Sequence, residues 1–318
     1  MISTKNKTFA NVNEYFDYMA DTLGYPPYHH YFKSETVMSD GLKIHVDVYE
    51  YDKKAPTIVF VPGTAIYALC YAEMLFKLGE SGYNVIGLDP RGHGQSEGPR
   101  GDYTIPELIR DVEATIDFAI KRFNKKVSLM GSSQGGIISF YLAAKDERLD
   151  SVICQNFADL IGEETTKLTR HPVLFKYLRM LIGNSKASDL IPNAMIPMSA
   201  YIDLDSIQVR YFGSIRQFVD NDPLAVKNIS VRALQSLGQT AMDKPIEKIK
   251  VPVMVFQGDA DTIFPVAYTK KLYDRLTCKK KMTIYPKMSH ALMSENVDEI
   301  LPDVLEWLHE IYPAKEKH

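Results

Sequence analysis

The sequence predicts an α/β fold with a mostly parallel central sheet of about eight strands, covered by helices on both faces and interrupted once by a helical insertion. Short apolar runs such as Thr57-Ile58-Val59-Phe60-Val61 alternate with segments of helical length, and strands with helices on both sides must be apolar on both faces. The alternation stops between about Phe157 and Asp243 and then resumes. A length of 318 residues with 45% hydrophobic and 24% charged positions suits one large domain with an insertion better than two equal halves. The expected division is a core domain over 1–156 and 246–318 with a helical cap over 157–245.

Taken in order, residues 9–24 carry Phe9, Val12, Phe16, Met19 and Leu23 at helical spacing and end at Gly24, with Pro26-Pro27 as the stop. Phe32 to Ser39 and Leu42 to Tyr51 alternate around Asp40-Gly41, a hairpin signal. The apolar strand at 57–61 follows, then helix 68–81, strand 84–88, helix 105–123, strand 126–130, helix 135–146 and strand 151–155. Such strand–helix alternation implies right-handed crossovers in a parallel sheet. The insertion offers helical patterns at Pro172–Ile182 and Leu224–Leu237 and no clear strand. A strand at 251–257, helix 265–276, strand 281–285 and helix 297–312 complete the chain. An insertion at that point falls on the carboxyl edge of the sheet, where open parallel sheets bind ligands.

A net charge of -3 gives no basic surface for a polyanion, so nucleic acid is not an expected partner. The polar start Met1 to Lys7 lacks a secretory apolar region, and no apolar run reaches the length of a membrane span. Cys70, Cys154 and Cys278 cannot all pair and show no metal-ligand spacing. A cytoplasmic protein with reduced cysteines is expected.

The stretch from Lys126 to Gly136, KVSLMGSSQGG, runs from strand into helix with a serine at the apex. A serine in a strained strand-to-helix turn needs glycine two residues away on each side, which Gly131 and Gly135 supply. The turn exposes the Ser133 hydroxyl and aims the Gln134 amide at the same small volume. Serine needs a base to become a nucleophile. His290 stands in the loop after strand 281–285 and Asp261 in the loop after strand 251–257, in the chain order Ser, Asp, His. Asp259 and Asp159 are the other carboxylates at strand ends.

With Val61-Pro62-Gly63-Thr64 after the third strand and Asp89 to Gly98 (DPRGHGQSEG) after the fourth, these motifs resemble the α/β-hydrolase superfamily over about residues 35–312. The likeness is to monoacylglycerol-lipase-like and serine-aminopeptidase-like members. The resemblance implies Ser133 as nucleophile, His290 as general base and Asp261 as the carboxylate orienting it. It further implies an oxyanion hole from the main-chain N–H groups of Thr64 and Gln134, with no metal or cofactor. The chain departs from the pattern with Pro62-Gly63 where His-Gly is usual, and with Ser132 where His commonly precedes the nucleophile. Relatives with an Asp nucleophile are excluded by Ser133.

Other conspicuous residues have plainer readings. His93 in its glycine-rich turn is expected to be structural, His29-His30 and His171 to be surface or interface histidines, and Lys121-Arg122 and Lys279-Lys280-Lys281 to be solvated helix ends or turns. The expected activity is hydrolysis of small-molecule carboxylic esters with an apolar pocket for short-to-medium acyl chains. Leu190, Ile191, Pro192, Met195, Ile196, Pro197, Met198, Tyr201, Ile202, Tyr211, Phe212 and Phe218 of the insertion are the apolar and aromatic groups available to that pocket. The same machinery serves aminopeptidases, thioesterases and acyltransferases, and a silent hydrolase-fold binding protein is the alternative from another class.

Overall fold

The computed structural model describes residues 7–169 and 194–313. A helix α1 (Val12–Leu23), capped by the Asn11 side chain accepting from the Glu14 amide, ends at Gly24 with φ 72°. β1 (Lys33–Ser39) and β2 (Leu42–Tyr49) form the expected hairpin. Its turn residues Asp40 and Gly41 have φ of 49° and 82°, the paired left-handed conformation that tight hairpins demand. β3 (Thr57–Val61), α2 (Ala72–Glu80), β4 (Asn84–Leu88), α3 (Ile105–Arg122), β5 (Val127–Ser132), α4 (Gln134–Lys145) and β6 (Ser151–Gln155) follow the predicted alternation. The helix expected over 68–81 begins with a turn of 3-10 helix at Ala68–Tyr71. α3 starts at a capping box in which Thr104 and Glu107 satisfy each other's amides.

Between β6 and the return to the sheet lie β7 (Met195–Pro197), β8 (Gln208–Val209), β9 (Gly213–Ser214), α5 (Ile215–Asn221), β10 (Asn228–Ser230) and α6 (Val231–Gln239). The expectation of no strand here is corrected: β7 pairs with β10 and β8 with β9, as antiparallel ladders too short to show alternation in sequence. The helix expected over 224–237 starts only at Val231, because Asn228–Ser230 is taken up in β10 and Ser230 caps the helix. The helical pattern at 172–182 falls outside the described residues. β11 (Val253–Gly258), α7 (Val266–Arg275), β12 (Lys280–Tyr285), α8 (Leu292–Glu295) and α9 (Val297–Ile311) close the fold.

The sheet has eight strands in the order β1-β2-β4-β3-β5-β6-β11-β12, with β2 antiparallel to its neighbours and the rest parallel. The two-residue period of each strand sorts its side chains into two cores. Val59 and Val61 of β3, Leu129 of β5 and Val253 and Val255 of β11 pack with α3 and α4. Ile58 and Phe60, Met130, and Met254 and Phe256 pack on the opposite face with Met74, Leu75 and Leu78 of α2 and Val304 and Trp307 of α9. Edge strand β12 begins at Lys280, one residue before the expected strand at 281–285, and Lys281 pairs with Glu306 of α9 at 2.5 Å. Charge on an exposed edge discourages pairing with another chain. Among the described residues no helix is long and apolar enough to cross a membrane.

Candidate active site

β5 delivers the chain to Ser133, whose φ of 54° and ψ of -115° lie outside the ordinary regions for a side-chain-bearing residue. The strain is held in place by packing: a Cβ on Gly131 would meet the Gly135 carbonyl, and one on Gly135 would meet the Val61 carbonyl of β3. The Ser133 amide donates to the Gln155 carbonyl of β6 at 2.9 Å, and its carbonyl accepts from Ile137 at 3.0 Å. Gln134 is the first residue of α4, so its N–H is one of the helix-start amides that lack an intrahelical acceptor.

The loop after β3 lies against this elbow. A Cβ on Gly63 would stand 3.5 Å from that of Ser133, and the Gly63 N–H donates to the Tyr71 hydroxyl at 3.3 Å. Ala65 turns the chain with φ 72°, and its carbonyl accepts from Val226 at 2.7 Å, tying the loop to the segment after β6. Thr64, Ser133 and Gln134 line one cavity of about 740 Å³. The Thr64 hydroxyl lies 3.3 Å from the Tyr103 hydroxyl and 3.5 Å from that of Tyr201.

The loops after β11 and β12 place Asp261 and His290 together. His290 Nδ1 is 2.8 Å from Asp261 Oδ2, with both side chains buried. The other carboxylate oxygen accepts from the Ile263 and Phe264 amides at 2.8 and 3.0 Å, and Asn156 Nδ2 donates to Oδ2 at 3.1 Å. Burial raises the Asp261 carboxyl, but the His290 charge and hydrogen bond, helped by the two amides, outweigh it and hold the group below its ordinary value. The Phe264 ring stacks on the imidazole, 5.7 Å away and 3° from parallel. Ser133 and His290 face a common cavity of about 500 Å³.

His290 meets neither of the competing carboxylates, its partner being Asp261. Asp259 accepts the Lys287 amide at 2.6 Å, clamping the two loops to each other. The Asp159 amide donates to the Tyr268 hydroxyl at 3.2 Å, and its carbonyl accepts from Gly162 at 2.9 Å. Ser132, the neighbouring serine, turns inward to Gln155 Oε1 at 3.1 Å.

Sequence reasoning missed Gln155, which ends β6, and Asn156, which follows it. Gln155 Nε2 donates to the His290 carbonyl at 2.6 Å, and Asn156 adopts φ 63° beside Asp261. Two amides closing an otherwise apolar strand were the available signal. His93 is buried as expected, its Nδ1 3.0 Å from the Arg91 carbonyl; burial pushes it down to about 4, with Arg100 adding to the effect, so it stays neutral. Of the two histidines expected at the surface or an interface, His30 is exposed but His29 is buried, and both Nε2 atoms converge on Asp17 Oδ1, at 3.1 and 2.7 Å. This group, from α1 and the turn after it, is where three side chains of metal-ligating type meet among the described residues. His171 lies outside the described residues.

The serine aminopeptidase, S33 family model matches residues 52–297, which include the elbow and both loops. The chain belongs to this family. Its fold is the α/β-hydrolase fold, and within it the chain groups with monoacylglycerol-lipase-like members. It is 25% identical over 274 residues to a monoacylglycerol lipase of Mycolicibacterium smegmatis, covering 84% of this chain and 93% of that one. It is 22% identical over 273 residues to a non-heme chloroperoxidase of Burkholderia pyrrocinia, covering 83% and 96%. A soluble variant of monoglyceride lipase from Saccharomyces cerevisiae, solved with a substrate analogue, superposes with a TM-score of 0.72 at 18% identity over 88% of this chain and 96% of that one.

Proposed function

We propose that the protein is a serine hydrolase of carboxylic esters, with Ser133 as nucleophile, His290 as general base and Asp261 as the group that orients the imidazole and stabilises its charge. The observation that carries this reading is the buried contact between His290 and Asp261 facing the same cavity as a serine held on a strained elbow. His290 takes the Ser133 proton as the oxygen attacks the acyl carbon, and the Thr64 and Gln134 amides receive the charge on the carbonyl oxygen. The C–O bond to the alcohol then breaks, the proton passes from His290 to the leaving oxygen, and water releases the acid by the same steps. Residues 157–245 act as a cap over these strand ends. Pro62 leaves the donor intact, because the hole uses the amide of Thr64.

The described lining of the larger Ser133 cavity supports an uncharged acyl group. Ile137, Leu160, Tyr201, Ile202, Leu237 and Phe264 contribute to it, and none of its described residues carries a formal charge. An aminopeptidase must hold the ammonium of its substrate, and a wall without carboxylates does not favour it. Of the insertion residues available to the pocket, Tyr201 and Ile202 line this cavity, whereas Met198 is buried in the core and Met195 is exposed, and Leu190, Ile191 and Pro192 fall outside the described residues. A fluorophosphonate probe tests the reading. Labelling of the folded protein that disappears in Ser133→Ala is expected; folded protein that takes no label would favour a binding module.

A further inference from the structure

A second cavity, of about 1050 Å³, lies between α1, the turn at Ala68–Tyr71 and the segment around Val209–Phe218. We propose that it holds the alcohol half of the ester, and that this half is an uncharged aryl or arylalkyl alcohol. The inference rests on the esterase reading above and adds to it which side of the site takes which half of the substrate.

The side follows from the proton. The leaving oxygen has to receive its proton from His290, so the alcohol must depart on the face where His290 stands. The cavity lined by Thr64 and Gln134 does not include His290, which suits it to the acyl chain. The cavity that does include His290 shares Ile66, Tyr71, Ile215 and Ser294 with the second cavity, so the two adjoin. An alcohol leaving past His290 passes directly into the larger space.

The chemistry follows from the walls. Four charged residues line the space, and each is already paired within the protein. Asp222 accepts from the Tyr15 and Tyr67 hydroxyls at 2.7 and 2.8 Å and from the Leu224 and Ala225 amides at 2.7 and 3.2 Å. Glu73 pairs with Lys77 at 2.6 Å, and Glu295 accepts the Arg210 amide at 2.7 Å while its carbonyl accepts from the Arg210 side chain at 2.7 Å. Each of these charged groups already has hydrogen-bond partners within the protein, Asp222 from neutral hydroxyls and amides, so none needs a ligand to satisfy it. The cavity offers rings instead. Tyr25 and Tyr211 meet with centroids 5.7 Å apart, and Phe212 and Phe218 meet at 5.0 Å edge to face. Such faces and edges favour another aromatic ring over an aliphatic one of the same bulk. Tyr15, Phe16 and Tyr25 lie before residue 52, where the family match begins, so this wall belongs to the chain's own N-terminal helix and the turn after it.

The experiment fixes the acyl group as butyrate and varies the alcohol: ethanol, decahydronaphthylmethanol and 2-naphthylmethanol. The expected kcat/KM for the naphthylmethyl ester exceeds that of the ethyl ester by ~10-fold and that of its saturated counterpart severalfold. Phe212→Ala and Tyr25→Ala should each shrink the naphthyl-to-ethyl ratio. The same full-length protein carrying Ser133→Ala should bind free 2-naphthylmethanol, followed by the ligand's own fluorescence, and Phe212→Ala should weaken that binding. Turnover of all three esters at similar kcat/KM, or ratios that ignore both substitutions, would overturn the aryl-alcohol cavity and leave the esterase reading standing. Phe212-dependent binding without turnover of any ester would do the reverse. Neither binding nor turnover would remove both.

Discussion

At Ser133 the hydroxyl is presented by backbone strain, whereas Ser132, one residue earlier, spends its hydroxyl on Gln155. Ser133→Ala should therefore lower kcat on p-nitrophenyl butyrate by on the order of 10⁶, and Ser132→Ala should stay within about tenfold of wild type. A reversed order would move the nucleophile. Asp261→Asn keeps the shape but favours the wrong imidazole tautomer, which costs on the order of 10⁴ in kcat in such sites. Asp159, bonded through its main chain to Tyr268 and Gly162, should tolerate the same change far better, and steady-state kinetics at matched folding decides. His93 yields a stability prediction. Its folded value of about 4 lies below the unfolded reference of ~6.5, so between these pH values the unfolded chain binds more protons and stability falls as pH falls. The contribution has a limiting slope of about 1.4 kcal/mol per pH unit and levels off once both states are protonated. His93→Gln lacks it, so urea titrations of the two proteins from pH 7 to 4 should show wild type losing ground to the variant; parallel curves would contradict a buried neutral imidazole.

At the scale of elements, the elbow exists because α4 sits hard against β3. A Cβ on Gly135 would enter the Val61 carbonyl and stand 2.6 Å from that of Pro62, and backbone cannot move aside as a side-chain end can. Gly135→Ala should cost about 3 kcal/mol or more, or prevent folding. Gly24 makes the contrast: it ends α1 at φ 72° with nothing within 4 Å of where a Cβ would stand, so Gly24→Ala should cost only the conformational strain of roughly 1–2 kcal/mol. Urea midpoints of the two variants check the ranking. Comparable losses at both sites would mean that the close approach of α4 to β3 is not what demands glycine at 135.

For the whole molecule, the sheet brings strand ends from β3, β5, β6, β11 and β12 to one edge, and the segment after β6 closes over them through contacts such as Val226 to Ala65. On the proposed reading the acyl chain lies between α4 and that segment, in a cavity with an uncharged described lining. Each methylene that enters it adds up to ~0.8 kcal/mol until the space is full. Along p-nitrophenyl acetate, butyrate, hexanoate, octanoate and dodecanoate, kcat/KM should climb and then fall. A steady decline from acetate, or a preference for a cationic aminoacyl group, would reject the apolar acyl pocket.

By itself the sequence determined the layers and the elbow. Apolar runs such as Thr57–Val61 can be buried on both faces only in a helix-covered sheet, and Gly131 and Gly135 answer a steric demand set by chain neighbours and therefore visible locally. The short ladders β7 to β10 escaped because two or three residues carry no period. Only the tertiary structure decided between carboxylates: Asp159, Asp259 and Asp261 all follow strands, and the difference lies in which one meets His290, 29 positions from Asp261 along the chain. The same holds for Gln155 and Asn156, whose partners come from distant loops, and for the convergence of His29, His30 and Asp17. It holds again for the second cavity, whose walls are drawn from segments far apart in the chain. Steric rules act between neighbours and leave a trace in the order of residues, whereas hydrogen bonds and cavities between remote segments exist only once the sheet has brought those segments to one edge.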